Sequence, residues 1–183
     1  MKIELFEMER MVAFGGAFYA VVEAQPLGVG LTPAHHNALI DYGRRIKVAV
    51  MDNFSVKHPF EDELSFLYGT ILIGPSEDPA HHSRNICVFA NAEVDRSPTG
   101  TGVSGRLAIH YAKGELVEDQ LVIIESIVGA ASTFSGRVAG RTKIGSYDAV
   151  IPEVSGTAFI TGRHEFLIDP RDELGKGFLL STS

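Results

Sequence analysis

The residues able to do chemistry crowd into one stretch, Asp95-Arg96-Ser97-Pro98-Thr99-Gly100-Thr101-Gly102-Val103-Ser104-Gly105-Arg106-Leu107. A polar loop there empties into a segment carrying Val103, Leu107, Ala108, Ile109, Tyr111 and Ala112. This composition predicts a helix over 100–113 that is apolar on nearly every side and is therefore buried. Burial leaves about four backbone N–H groups at the helix start without intrahelical partners. Gly100, Gly102 and Gly105 leave those groups unobstructed, and the helix dipole favours negative charge beside them. The chemistry this arrangement offers is capture of an anion such as a substrate carboxylate. A plain helix cap is the competing reading, because Asp95, Ser97, Thr99 and Thr101 are all ordinary capping residues.

The same glycines spell G-x-G-x-x-G, but a dinucleotide site needs a strand directly before them and an acidic residue about 20 positions on within a βαβ unit. Here a Pro-containing loop separates Asn91 from Gly100, and Glu118 and Asp119 fall in a turn. Ser104 lacks the acid–base partners of a nucleophile elbow. Arg96 reads as a salt-bridge partner or loop brace. His81 and His82 are adjacent, so on a strand they face opposite ways and make a poor metal pair. His35, His36, His58, His110 and His164 show no ligand spacing and read as structural, so no metal site is expected. Cys87, the single thiol, reads as a small buried apolar residue. One Cys cannot form an internal disulfide, which suits a reducing compartment.

The elements that must position this stretch follow from the rest of the chain. With 183 residues, 45% of them hydrophobic and 21% charged, the chain can bury the core of one domain. A net charge of -7 offers no basic surface for nucleic acid. The N-terminus lacks a secretory pattern, and the longest apolar run, Met11 to Val22, is too short to span a bilayer. A cytoplasmic, membrane-free location is the expectation. Residues 10–24 read as a strand or strand pair interrupted by Gly15-Gly16. Thr32 and Pro33 mark a helix start, and Leu39, Tyr42, Ile46 and Val50 recur at helical spacing up to Asp52-Asn53. Residues 64–74 and 85–91 read as strands, with Ile86 and Val88 on one face and Cys87 and Phe89 on the other, so that both faces are buried. Gly114 is a plausible helix stop. Short strands follow at 121–125, 136–138, 147–151, 157–160 and 165–168. Two helices among many short strands give an α+β domain.

Asp95-Arg96-Ser97-Pro98-Thr99-Gly100-Thr101-Gly102 resembles the second catalytic motif of the proline racemase family, which includes hydroxyproline epimerases and trans-3-hydroxy-L-proline dehydratases. Phe14-Gly15-Gly16-Ala17-Phe18-Tyr19, Leu64-Ser65-Phe66-Leu67-Tyr68-Gly69-Thr70, His82-Ser83-Arg84-Asn85, Tyr147-Asp148-Ala149-Val150-Ile151-Pro152-Glu153-Val154 and Gly162-Arg163-His164-Glu165-Phe166 carry the resemblance over nearly the whole chain. It implies one half of a diaminopimelate epimerase-like fold, with short mixed or antiparallel strands around a buried central helix. Residues 1–156 would form the second domain, and residues 157–183 a segment that in the family crosses to the first. Asp95 would hold the substrate amine, the Gly100 and Thr101 amides its carboxylate, and His82 would stand where an epimerase Asp contacts the amine.

Two departures shape the expected activity. The racemases and epimerases of the family have Cys where this chain has Thr99. A hydroxyl is far too weakly acidic to exchange a proton in a two-base racemisation near neutral pH. The dehydratases resemble this chain in having Thr, which implies cofactor-independent loss of water from trans-3-hydroxy-L-proline. The family's other catalytic Cys lies in a first half that has no counterpart here, so Met1 reads as an internal start or as an artificially chosen boundary. The isolated chain is then expected to be inactive or nearly so. Three alternatives remain: a racemase or epimerase, which Thr99 argues against; a non-catalytic half that still binds the substrate; and assembly. The expected partners are a cyclic imino acid and either a second copy of the chain or a separate first half.

Overall fold

The chain is described here from a computed structural model, over residues 11–178. β1 (Met11–Phe14) and β2 (Phe18–Glu23) form an antiparallel hairpin that turns at Gly15-Gly16. A 3₁₀ turn at Pro33–His35 leads into α1 (His36–Asn53). Thr32 is the extended residue before that turn, but its hydroxyl meets His35 Nδ1 (3.1 Å) instead of capping a backbone amide. β3 (Leu67–Gly74), β4 (Ser83–Phe89) and the two-residue β5 (Glu93–Val94) follow, then α2 (Gly100–Ala112), β6 (Val122–Ser126), β7 (Gly129–Ile144) and β8 (Tyr147–Ser155).

All the strands join one mixed sheet in the order β1-β2-β3-β4-β6-β7-β8, with β5 beside β4. The β2–β3 and β4–β6 pairs are parallel and the others antiparallel. Period-two alternation divides the central strands between two cores. Ala20, Val22, Leu72, Ile86 and Val88 pack with Leu39, Ile46 and Val50 of α1. Tyr19, Val21, Ile71, Ile73 and Cys87 face the opposite way, toward Ile109 of α2. Gly43 lets α1 approach closely, since a Cβ there would stand 2.6 Å from the Val88 Cβ. At the same point the Thr70 hydroxyl donates to the Gly43 carbonyl (2.9 Å).

α2 packs against β1 and β2 at one end of the strand order and against β7 and β8 at the other. A sheet can meet one helix from both ends only by curling round it. α2 is thus the buried axis of a half-barrel, as its all-round apolar composition requires. Val103 and Leu107 meet Val122, Ile124 and Val138 in a third core on its β6–β7 side.

Two strand assignments fail. Residues 157–160 and 165–168 form no strand, because the ladder stops at Ser155. Their alternating apolar pattern has no neighbour to pair with, and Phe159, Ile160, Phe166, Leu167 and Ile168 are all at least 80% exposed. β7 also runs over 16 residues where the sequence suggested only 136–138. Its partner β8 extends it far beyond its apolar centre. No helix among the described residues is long and apolar enough to cross a membrane.

Candidate functional site

The loop from β5 to α2 is closed by its own side chains. The Asp95 amide reaches the Cys87 carbonyl (3.4 Å), anchoring the loop to β4. Asp95 Oδ1 accepts the Ser97 amide (2.8 Å), Ser97 Oγ accepts the Thr99 amide (3.0 Å), and Thr99 Oγ1 donates to Asp95 Oδ2 (3.0 Å). Thr99 is buried and sits at φ 67, ψ 106 as the residue preceding α2. A β-branched residue at positive φ is strained, so its surroundings must hold it there. Its side chain turns back to Asp95 and caps nothing.

The first backbone bond of α2 runs from the Val103 amide to the Thr99 carbonyl (2.8 Å). No described side chain caps the helix, so the amides of Gly100, Thr101 and Gly102 point out of its tip. They open beside a cleft of about 500 Å³ lined by Gly100, Thr101 and Ser104, by Phe134 of β7 and by Val154 and Ser155 at the end of β8. The Ser104 hydroxyl bonds back to the Gly100 carbonyl (3.0 Å), a local role with no nucleophilic partner.

The β1–β2 turn braces the tip from the other side. A Cβ on Gly15 would fall 2.2 Å from the Thr101 carbonyl oxygen and 2.4 Å from the Gly105 nitrogen, so only glycine lets the turn lie on the helix backbone. Tyr19 follows that turn, and its hydroxyl meets Thr101 Oγ1 at 2.8 Å. Burial pushes the Tyr19 phenol up to about 12, so it stays neutral. Sequence reasoning singled out no role for Tyr19, although it ends the Phe14–Tyr19 segment that carried part of the resemblance.

Of the residues picked from sequence, Asp95, Thr99, Gly100 and Thr101 come together. His82 does not. It precedes β4 and packs edge-on against His110, ring centroids 4.8 Å apart. His110 lies ten residues after Gly100 in α2, which places it about 15 Å along the axis from the tip. Burial depresses both imidazoles, and the nearby Arg106 guanidinium adds to the effect. His82 Nδ1 is taken up by Ser83 Oγ (2.8 Å) and His110 Nδ1 by Glu115 (2.6 Å). Arg96 has an exposed side chain, and its carbonyl receives the Ser132 hydroxyl (3.0 Å).

Cys87 is fully buried in β4, where its carbonyl anchors the Asp95 amide. Burial pushes the thiol up to about 12, so it supplies no thiolate base near neutral pH. The arrangement can therefore grip an acid group with backbone amides and present a carboxylate and a hydroxyl beside it. Among the described residues, none at the tip is poised to remove a carbon-bound proton.

The proline racemase family profile matches residues 4–179. This chain belongs to the proline racemase family. It is 50% identical over 169 residues to a trans-3-hydroxy-L-proline dehydratase from Colwellia psychrerythraea, covering 92% of this chain and 47% of that protein. The human trans-3-hydroxy-L-proline dehydratase is 44% identical, with 92% and 48% covered. Among solved structures, a hydroxyproline epimerase from Agrobacterium vitis with bound trans-4-hydroxy-L-proline superposes with a TM-score of 0.85 at 32% identity, over 94% of this chain and 49% of that one. The chain thus spans about half the length of the curated relatives it matches. Its α+β architecture, a curled mixed sheet with few helices, is similar to that of this hydroxyproline epimerase.

Proposed function

We propose that this chain is the substrate-gripping half of a trans-3-hydroxy-L-proline dehydratase. The observation that carries the reading is Thr99, strained and hydrogen-bonded to Asp95, at the mouth of an uncapped buried helix. Relatives named as such dehydratases share up to half of its sequence. In this reading the Gly100 and Thr101 amides hold the substrate carboxylate. Asp95 has lone pairs beyond its two internal bonds and accepts the protonated ring amine. A base from the half that this chain does not span takes the α-proton. The freed electron pair forms the Cα–Cβ double bond, and the C3–O bond breaks. The departing hydroxyl takes up a proton and leaves as water, and the resulting enamine tautomerises to the cyclic imine, pyrroline-2-carboxylate. Thr99 stays protonated and hydrogen-bonds the substrate or a water.

The two halves would make a diaminopimelate epimerase-type pair, with residues 1–156 as the second domain. The exposed apolar side chains of residues 157–168 would be covered by a first half or by a second copy of the chain. The single buried thiol suits a cytoplasmic setting. An isomerase reading is disfavoured because Thr99 cannot serve as the second thiol. The test is water elimination from trans-3-hydroxy-L-proline, followed as imine formation. A protein joining this chain to the family's other half should turn over, and the 183-residue chain alone should not. Racemisation without elimination by the joined protein would contradict the proposal.

A further inference from the structure

Arg106 of α2 is fully buried, yet among the described residues no carboxylate stands within ion-pair distance of it, and Glu23 acts on its charge only from further off. Its Nη1 donates to Asn85 Oδ1 (2.9 Å) and its Nη2 to Ser83 Oγ (2.6 Å), with His110 Nε2 at 3.3 Å. Its Nε has no partner. Burying a guanidinium among neutral acceptors is costly, and burial pulls its pKa down to about 10. Such a placement needs a reason other than stability.

The reason lies one bond further on. Asn85, itself fully buried in β4, is oriented by Arg106: with Oδ1 accepting from the guanidinium, its Nδ2 must face the other way. There it donates to the Pro98 carbonyl (3.2 Å). The Pro98–Thr99 peptide is thus held at both ends, its carbonyl by Asn85 and its amide by Ser97 Oγ. That peptide enters Thr99 at φ 67 and aims both the Thr99 hydroxyl and the helix tip. A relay of two buried side chains therefore reaches the tip from the middle of the helix.

We propose that Arg106 and Asn85 are positioning residues that lock the Pro98–Thr99 peptide, and through it Thr99 and the Gly100–Thr101 amides, in the geometry that receives the substrate. The functional part rests on the reading of the tip as the substrate site, whereas the geometric part does not. Asn85→Asp separates positioning from folding. An Asp gives Arg106 a counter-charge, so the melting temperature should hold or rise. Its second oxygen would then face the Pro98 carbonyl, acceptor against acceptor, and the peptide should turn away.

The experiment uses ¹⁵N-labelled chain. A positive φ brings an amide proton close to its own Hα, giving a strong intraresidue NOE. The parent chain should show this NOE at Thr99, and Asn85→Asp should lose it without a fall in melting temperature. Arg106→Lys keeps a donor on Asn85 and should retain it, and Arg106→Met should lose it. In parallel, amide shifts of Gly100 and Thr101 on adding trans-3-hydroxy-L-proline should weaken at least tenfold in Asn85→Asp. A Thr99 NOE that survives in folded Asn85→Asp overturns the inference. So does unfolding of Asn85→Asp, which would make Asn85 a stability residue. If the parent chain shows the NOE but none of the variants' tip amides, nor the parent's, respond to ligand, the substrate reading fails while the relay stands.

Discussion

Two carboxylates of this chain, one in a strand and one in a loop, are used in opposite ways. Glu125, at the end of β6, is fully buried and saturated. It accepts the amides of Glu77 and Asp78 (2.8 and 2.9 Å), His81 Nδ1 (2.8 Å) and Arg84 Nε (2.9 Å). Arg84 in turn pairs with Glu77 and donates to the Leu31 carbonyl (3.2 Å). Asp95 is half-buried and, among the described residues, accepts only the Ser97 amide and the Thr99 hydroxyl. A carboxylate with about four acceptor sites filled by protein is finished, whereas one with two filled has capacity for a ligand. Saturation marks a structural hub, and incomplete satisfaction beside uncapped amides marks the place where something from outside completes the hydrogen bonding.

Breaking the hub should have the largest effect. Glu125→Ala leaves Arg84 with Glu77 alone as counter-charge and strips the Glu77 and Asp78 amides and His81 of their acceptor; removing one partner of a buried pair costs about 3–5 kcal/mol, so the chain should melt far lower or not fold, read by thermal denaturation. Acid does the same reversibly. The four hydrogen bonds outweigh burial and hold the Glu125 carboxyl down to about 2 from 4.5. A depressed folded-state pKa gives stability that is full above the unfolded value and lost as pH falls toward the folded one. Roughly 3 kcal/mol should therefore disappear between about pH 4.5 and 2 in urea titrations, and much less of it in Glu125→Gln. Asp95→Ala sharpens the contrast. Loss of its loop bonds should cost about 1 kcal/mol of stability, as for a lost helix cap, while affinity for trans-3-hydroxy-L-proline falls about tenfold or more. Thr99→Cys should be the mildest for folding, under about 1 kcal/mol, since it replaces one small side chain by another. In the joined protein it should nevertheless admit α-proton exchange with retained substrate, followed by deuterium uptake from solvent.

The sequence disclosed what depends on local pattern. Alternation at residues 86–89 placed β4 between two cores, helical spacing gave α1, and an all-apolar helix after a glycine-rich loop gave both the axis of the half-barrel and its tip. Asp95, Thr99, Gly100 and Thr101 converge because they are neighbours in sequence. What stayed hidden depends on distant partners. Nothing local tells that Glu125 collects groups from 77–84, or that Arg106, inside an apolar helix, turns to Asn85 of a strand. The separation of His82 from the loop stayed hidden for the same reason. The distance of His82 from Asp95 is fixed by the run of β4, about 16 Å for the five residues from 82 to 87, where Asp95 is anchored. The strands expected at 157–160 and 165–168 failed because an apolar alternation describes a capacity to pair, and β8 offers that segment no continuing neighbour.

The central claim, that the start of α2 is a receptor for an acid group, is tested most directly by titrating the ¹⁵N-labelled chain with trans-3-hydroxy-L-proline and following every backbone amide. Saturable shifts centred on Gly100, Thr101 and Gly102, reduced in Asp95→Ala and absent with the corresponding prolinamide, are the predicted result. Shifts that leave those three amides still while others move, or equal binding of the prolinamide, would contradict it.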